Sequence, residues 1–200
     1  MEENNVEMNP NQKQKKSRFL YELLDLLKTF VICFVVVFLF TQFLLKPVHV
    51  DGDSMYPTLK DEEIGFVNIF SAKYLGIHRF DVVVVHHEET DDNWVKRVIG
   101  LPHDTIYAKD DVLYINGEPQ EEPYLDTSYV QSIRAQGRKF TEDFGPITLK
   151  DDEYFVMGDN RVVSHDSRAV GPFHKEDIIG KNAYIFYPFE EMKIVNNPMK

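Results

Sequence analysis

The chain holds a single cysteine, Cys33, so no disulfide can close within it and oxidative cross-links give no clue to its compartment. Positive charge is also scarce: 22 Lys and Arg stand against 33 Asp and Glu, a formal net charge of −11. The imbalance is local. Over residues 1–45, Lys13, Lys15, Lys16, Arg18 and Lys28 cancel Glu2, Glu3, Glu7, Glu22 and Asp25, so the whole excess lies in 46–200. A part so acidic repels phosphate backbones, which argues against nucleic acid as a partner. No internal repeat is visible, and past residue 45 nothing reads as a long helix. With 43% hydrophobic and 28% charged residues, the composition fits one globular domain with appendages.

What is present first is an uncharged run, TFVICFVVVFLFTQFLL, from Thr29 to Leu45. As a helix it spans roughly 26 Å, a little less than a hydrocarbon core of ~30 Å. Leu20, Leu23, Leu24 and Leu27 recur at helical spacing upstream and extend it into the interface. A buried core helix would read similarly. A cleavable secretory signal would need paired small residues before a cut, and Lys46-Pro47-Val48-His49-Val50 offers none. The expectation is an uncleaved membrane anchor over 19–45, ended by Lys46-Pro47. Lys13, Lys15, Lys16 and Arg18 precede it and only Lys46 closely follows, which predicts a cytoplasmic tail (1–18) and an extracytoplasmic domain (46–200). The opening MEENNVEMNPNQKQ is polar enough to read as disordered.

Beyond the anchor, short strand-like runs alternate with turn signals, as in an all-β fold. Ile64–Asn68, Asp81–Val85, Trp94–Ile99, Glu153–Met157 and Asn182–Tyr187 are the clearest. Thr105–Ala108 and Val112–Ile115 read as a hairpin, and Asn116-Gly117 marks a further turn. Residues 117–150 are polar and weakly periodic, and read as an insertion with a mobile tip.

Three segments carry candidate chemistry. In Val50-Asp51-Gly52-Asp53-Ser54-Met55-Tyr56-Pro57-Thr58-Leu59, Gly52 permits a tight turn and Ser54 can present both hydroxyl and N–H to one acceptor. In Trp94-Val95-Lys96-Arg97-Val98-Ile99-Gly100-Leu101-Pro102, strand alternation puts Lys96 on the face of Trp94 and Val98, with Arg97 opposite. That matters because a free lysine is neutral in only about one part in two thousand at pH 7, and burial among apolar groups raises the fraction. In Gly158-Asp159-Asn160-Arg161-Val162-Val163-Ser164-His165-Asp166-Ser167-Arg168, polar groups crowd behind an apolar strand. Singly, each has a plain structural reading: a glycine turn, a strand lysine reaching solvent, a solvated loop.

Together, GDSMYPTL, KRVIGLP and GDNR..S.DSR in this order behind an N-terminal anchor resemble the boxes of bacterial type I signal peptidases, in the single-anchor form of Gram-positive bacteria. The resemblance implies a mainly β fold: an antiparallel, barrel-like catalytic core with a variable insertion, here 117–150, after one transmembrane helix. It implies a serine endopeptidase removing signal peptides from exported preproteins, with Ser54 as nucleophile and Lys96 as general base. Ser164 would orient the lysine amine. Asp166 with Arg168, and Arg97 with Asp159, would be structural pairs. Gly52 and Met55 would lie at the oxyanion site or substrate cleft. Neither metal nor cofactor is implied. Signal peptides, the bilayer and the secretion translocon are the implied partners.

Some positions depart from the pattern. Val162 and Val163 stand where many relatives have Asp and Asn, and His103 replaces a common glycine. Gly52 stands where larger relatives place an oxyanion-hole serine, so Ser54 N–H is one expected donor and the second is open. A histidine-dependent or metal site at His165-Asp166 or His86-His87-Glu88 is the chemical rival, but adjacent strand residues face opposite ways and no HExxH spacing occurs. A cytosolic self-cleaving repressor does not fit the anchor, and an inactive peptidase scaffold does not fit the presence of both Ser54 and Lys96.

Overall fold

The computed structural model describes residues 10–199, with side chains over 18–40 and 44–199. It comprises two bodies, one reaching Phe43 and the other starting at Leu44. The first is one helix, α1 (Pro10–Phe43). Arg18–Phe40 within it is long and apolar enough to cross a membrane, and its apolar side chains are exposed all round. The charges at its start are paired, Arg18 with Glu22 at 3.2 Å and Lys28 with Asp25 at 3.6 Å. Of the opening segment expected to be disordered, residues 10–14 are helical and residues 1–9 lie outside the described residues.

The second body runs β1 (Leu45–His49), β2 (Ile64–Asn68), α2 (Ile69–Tyr74), β3 (Val82–His87), β4 (Asp92–Gly100), β5 (Thr105–Lys109), β6 (Val112–Ile115) and β7 (Glu118–Pro119). It continues through α3 (Ser128–Arg134), β8 (Phe144–Thr148), β9 (Glu153–Met157), α4 (Ser167–Val170), β10 (Phe173–His174), β11 (Ile178–Tyr187) and β12 (Lys193–Val195). All pairings are antiparallel. One sheet is ordered β1-β2-β11-β3-β4-β9-β10 with β12 added to β11, and the other β7-β6-β5-β8. The path of the larger sheet stays open between β1 and β10 rather than closing into a barrel.

Proline does not end the helix at Lys46-Pro47. The helix stops at Phe43, and Leu45 and Pro47 enter β1, where Leu45 pairs with Asn68 and Pro47 with Phe66. β1 ends the sheet, and an edge strand tolerates a residue with no N–H to donate.

The continuous valine run explains the centre. Val82 and Val84 join Val50, Met55, Leu59, Val67 and Ile185 on one side of β3, while Val83 and Val85 join Val98, Val156 and Phe173 on the other. A third cluster, built on Ile99, Ile106, Leu113, Phe155 and Met157, takes side chains from both sheets. The β5–β6 hairpin turns through Asp110 and Asp111, at φ 52° and 65°, as the primed turn of a two-residue loop requires.

The 117–150 segment corrects the expectation of a mobile tip. Val130 and Ile133 of α3 pack with Leu125 and Phe140, and β8 pairs with β5. The small core escaped sequence reading because its apolar residues are spaced by tertiary contacts, not by one period. Phe140 is fully buried there. Phe140→Ala is therefore expected to lower the unfolding free energy by about 3–5 kcal/mol, read from urea denaturation of the purified chain.

Candidate active site

Ser54 lies in the turn after β1. Gly52 there takes φ 81°, a conformation side chains resist, and its N–H donates to Asp61 Oδ1 at 2.7 Å. The chain then coils, with Tyr56 N–H on Asp53 O at 3.1 Å and Leu59 N–H on Met55 O at 3.0 Å. Met55 and Leu59 anchor that coil in the core, which leaves Ser54 half-buried on a cleft of about 600 Å³. The Met55 side chain packs in the core with Val50 and Leu59 and does not line the cleft.

The loop after β9 fixes Ser54 from the other side. Asn160 N–H donates to Ser54 O at 3.0 Å. Gly158 passes so close that a Cβ would lie 2.3 Å from Ser54 O and 2.2 Å from Ser164 Oγ, so glycine alone fits.

Lys96 enters from β4, which lies between β3 and β9. Its Nζ is 2.8 Å from Ser54 Oγ, and the residue is 4% exposed. Trp94, two residues earlier and on the same face, places its ring centroid 5.7 Å from the amine. The indole is held in turn by His87, stacked at 4.2 Å and 12°, and by His165, edge-on at 5.5 Å. Burial pushes the Lys96 amine down to about 8; Asp166 and Asp159 pull it back up and Arg168 pushes it further down. Desolvation wins, so the amine is a far better base near neutrality than a surface lysine.

Arg97, one residue on, meets the opposite environment. Its Nε and Nη2 donate to the two Asp159 oxygens at 2.7 and 2.6 Å, and its Nη1 donates to Phe80 O at 2.9 Å. The guanidinium carbon lies 4.0 Å from the Tyr124 ring centroid, and Thr58 Oγ1 donates to Asp159 Oδ2 at 2.5 Å. Asp166 receives Arg168 Nε and Nη2 at 2.8 Å each and Gly158 N–H at 2.9 Å. Burial alone would raise the Asp166 carboxyl, but the Arg168 bonds and charge and the Gly158 N–H hold it below the usual range. Removing either partner of such buried pairs strands a charge, which is why they brace the loop.

Ser164 is placed differently from the role the resemblance implied. Its Oγ is buried beside Gly158 and, among the described residues, makes no hydrogen bond. Sequence reasoning gave no role to Asn160 or Tyr129, and named Trp94 only as a neighbour of Lys96. Strand alternation is enough to signal Trp94. Asn160 lies inside the third motif, whereas Tyr129 comes from α3 and had no local signal.

A hydroxyl and a dry amine at hydrogen-bonding distance, opening on a cleft, are the parts of a base-activated nucleophile. Comparisons with known proteins converge on the same chemistry. The family model described as "Signal peptidase, peptidase S26" matches residues 23–187. The chain is 45% identical over 188 residues to Signal peptidase I S of Bacillus subtilis (strain 168), covering 93% of this chain and 98% of that protein. It is 40% identical over 184 residues to Signal peptidase IB of Staphylococcus aureus (strain MRSA252), covering 88% and 96%. A crystal structure of a signal peptidase I from Enterococcus faecalis V583 matches with a TM-score of 0.48 and 32% identity, covering 52% of this chain and 95% of that one.

The depressed amine has a thermodynamic signature. A lysine lowered from 10.5 to about 8 binds fewer protons folded than unfolded, so its burial costs stability below pH 8 and the cost fades as pH rises toward 10.5. Lys96→Met is expected to be more stable than the wild type by up to about 3 kcal/mol at pH 7. The gap should narrow between pH 8 and 10.5 in urea unfolding, and a gap independent of pH would contradict it.

Proposed function

The chain belongs to the signal peptidase S26 family and is a serine peptidase that removes signal peptides, and we propose that it does so with Ser54 as nucleophile and Lys96 as general base. The observation that carries this reading is the 2.8 Å contact between Lys96 Nζ and Ser54 Oγ, with the amine buried. Neutral Lys96 takes the Ser54 proton as Oγ attacks the scissile carbonyl. The tetrahedral intermediate collapses to an acyl-enzyme as Lys96 protonates the leaving amine. Lys96 then draws a proton from water, which releases the signal peptide's carboxylate and restores Ser54. No histidine is needed.

Oxyanion stabilisation falls to Ser54 N–H, which among the described residues donates to no acceptor. Gly52 N–H, tied to Asp61, is not the second donor. Ser164 Oγ is one hydroxyl rotation from serving the amine during turnover, since it is buried and unbonded next to Gly158. The substrate binds extended beside the cleft, as an added strand.

The apolar helix supports an anchored enzyme. Its basic N-terminal flank favours a cytoplasmic start with residues 46–200 on the outer face. Ser54 follows Leu45 by nine residues, so it lies within roughly 30 Å of the bilayer along an extended chain. That suits a substrate whose cleavage site emerges from the membrane.

Preprotein cleavage by the purified full chain tests the dyad. Ser54→Ala and Lys96→Ala should each lose at least about 10³-fold in kcat/KM. Wild-type kcat/KM should rise through about pH 8 as Lys96 deprotonates.

A histidine mechanism is poorly supported because the Asp166 carboxylate is already occupied by Arg168 and Gly158. His165→Ala and His86→Ala should stay within about tenfold of wild type, whereas removal of a working general base costs about 10²–10⁴-fold. A loss of that size in a folded histidine variant would overturn the lysine assignment.

A further inference from the structure

The 117–150 segment reaches the cleft through Tyr129. Thr127 caps α3 by accepting from Val130 N–H at 3.3 Å, and the Leu125, Val130, Ile133 and Phe140 cluster fixes the helix. Half-buried Tyr129 then meets Tyr56 edge-on at 5.0 Å and Phe140 edge-on at 6.1 Å. Its hydroxyl donates to Asn160 Oδ1 at 3.0 Å. Held on three sides, the ring cannot swing aside without breaking packing or that bond.

Asn160 joins this wall to the nucleophile. Its N–H donates to Ser54 O at 3.0 Å, and its own carbonyl accepts from Val163 N–H at 3.2 Å. Val163 also lines the cleft and is 61% exposed, while Val162 packs against the α3 cluster. The two valines that depart from the motif pattern therefore have places: one seats the segment and one faces the cleft. Buried Arg161 fastens the segment further, pairing with Glu122 and donating to Thr141 Oγ1 at 3.2 Å.

We propose that the 117–150 segment is a specificity element, in which Tyr129, held by Asn160, forms with Val163 an apolar wall that limits the substrate side chain seated beside Ser54. This rests on the peptidase reading above. A fixed ring rejects bulk because admitting a larger side chain requires displacing packed groups, whereas a wall of mobile side chains yields. Size discrimination of one or two methylenes in an apolar pocket is worth about 10–200-fold.

The test uses the full chain in detergent micelles and peptides that differ only by Ala, Val or Leu at one position on either side of the scissile bond. Tyr129→Ala should raise the Leu-to-Ala ratio of kcat/KM at one of those positions by at least about tenfold. Val163→Ala, at an exposed site with little bearing on folding, should move the same ratio in the same direction, and it decides the matter if Tyr129→Ala does not fold. Tyr129→Phe keeps the ring and should keep the ratio within about threefold of wild type. Wild-type ratios at every position in the folded Ala variants would overturn the proposal. So would a Phe variant that moves as far as Tyr129→Ala, because the hydroxyl rather than the wall would then be responsible. If wild type fails to cleave the Ala peptide, or Ser54→Ala cleaves it equally well, the peptidase reading itself falls. If wild type cleaves and Ser54→Ala does not, only the wall is at issue.

Discussion

The structure of the site depends on keeping one amine out of water. Lys96 Nζ sits against Ser54 Oγ on a strand buried between two neighbours, under the Trp94 ring, and the desolvation that lowers its proton affinity is supplied by the whole sheet. A surface lysine at the same distance from a serine would be protonated and inert as a base. The contact has chemical meaning because the fold is stable enough to hold the amine dry, and the valine-rich packing on both faces of β3 contributes to that.

Lys96 and Arg97 show how adjacent residues on one strand are given opposite fates. The pleat sends them to opposite faces. On one face the lysine meets an indole and a hydroxyl, with no direct carboxylate partner. On the other the arginine meets Asp159 bidentately and keeps its charge. Asp159 and Asp166, both on the loop after β9, are each occupied by an arginine, so their fields raise the lysine only partway back. The paired charges thus hold the loop rigid while limiting the negative potential at the base.

The 117–150 segment ties into the same loop. Arg161 binds its flanks, Asn160 binds Tyr129, and Asn160 also binds the Ser54 carbonyl. A segment that looks like a surface addition is therefore continuous, through hydrogen bonds, with the backbone of the nucleophile.

The sequence by itself determined the apolar helix, the antiparallel β character and the identity of Ser54 and Lys96 as chemically matched residues. These follow from local rules: runs of uncharged residues, strand alternation, and motif chemistry at short spacing. It also allowed the opposite facing of Lys96 and Arg97 to be read from periodicity alone. Tertiary structure decided the rest. Pro47 lies in an edge strand because β2 was available to pair with it, Met55 turns into the core because the coil after Ser54 needs an anchor, and Ser164 lies beside Gly158 without a bond. Tyr129 reaches the cleft from about 75 residues beyond Ser54 in the chain, carried by a small core whose members share no period. Such contacts depend on which distant surfaces meet, and no local propensity encodes that.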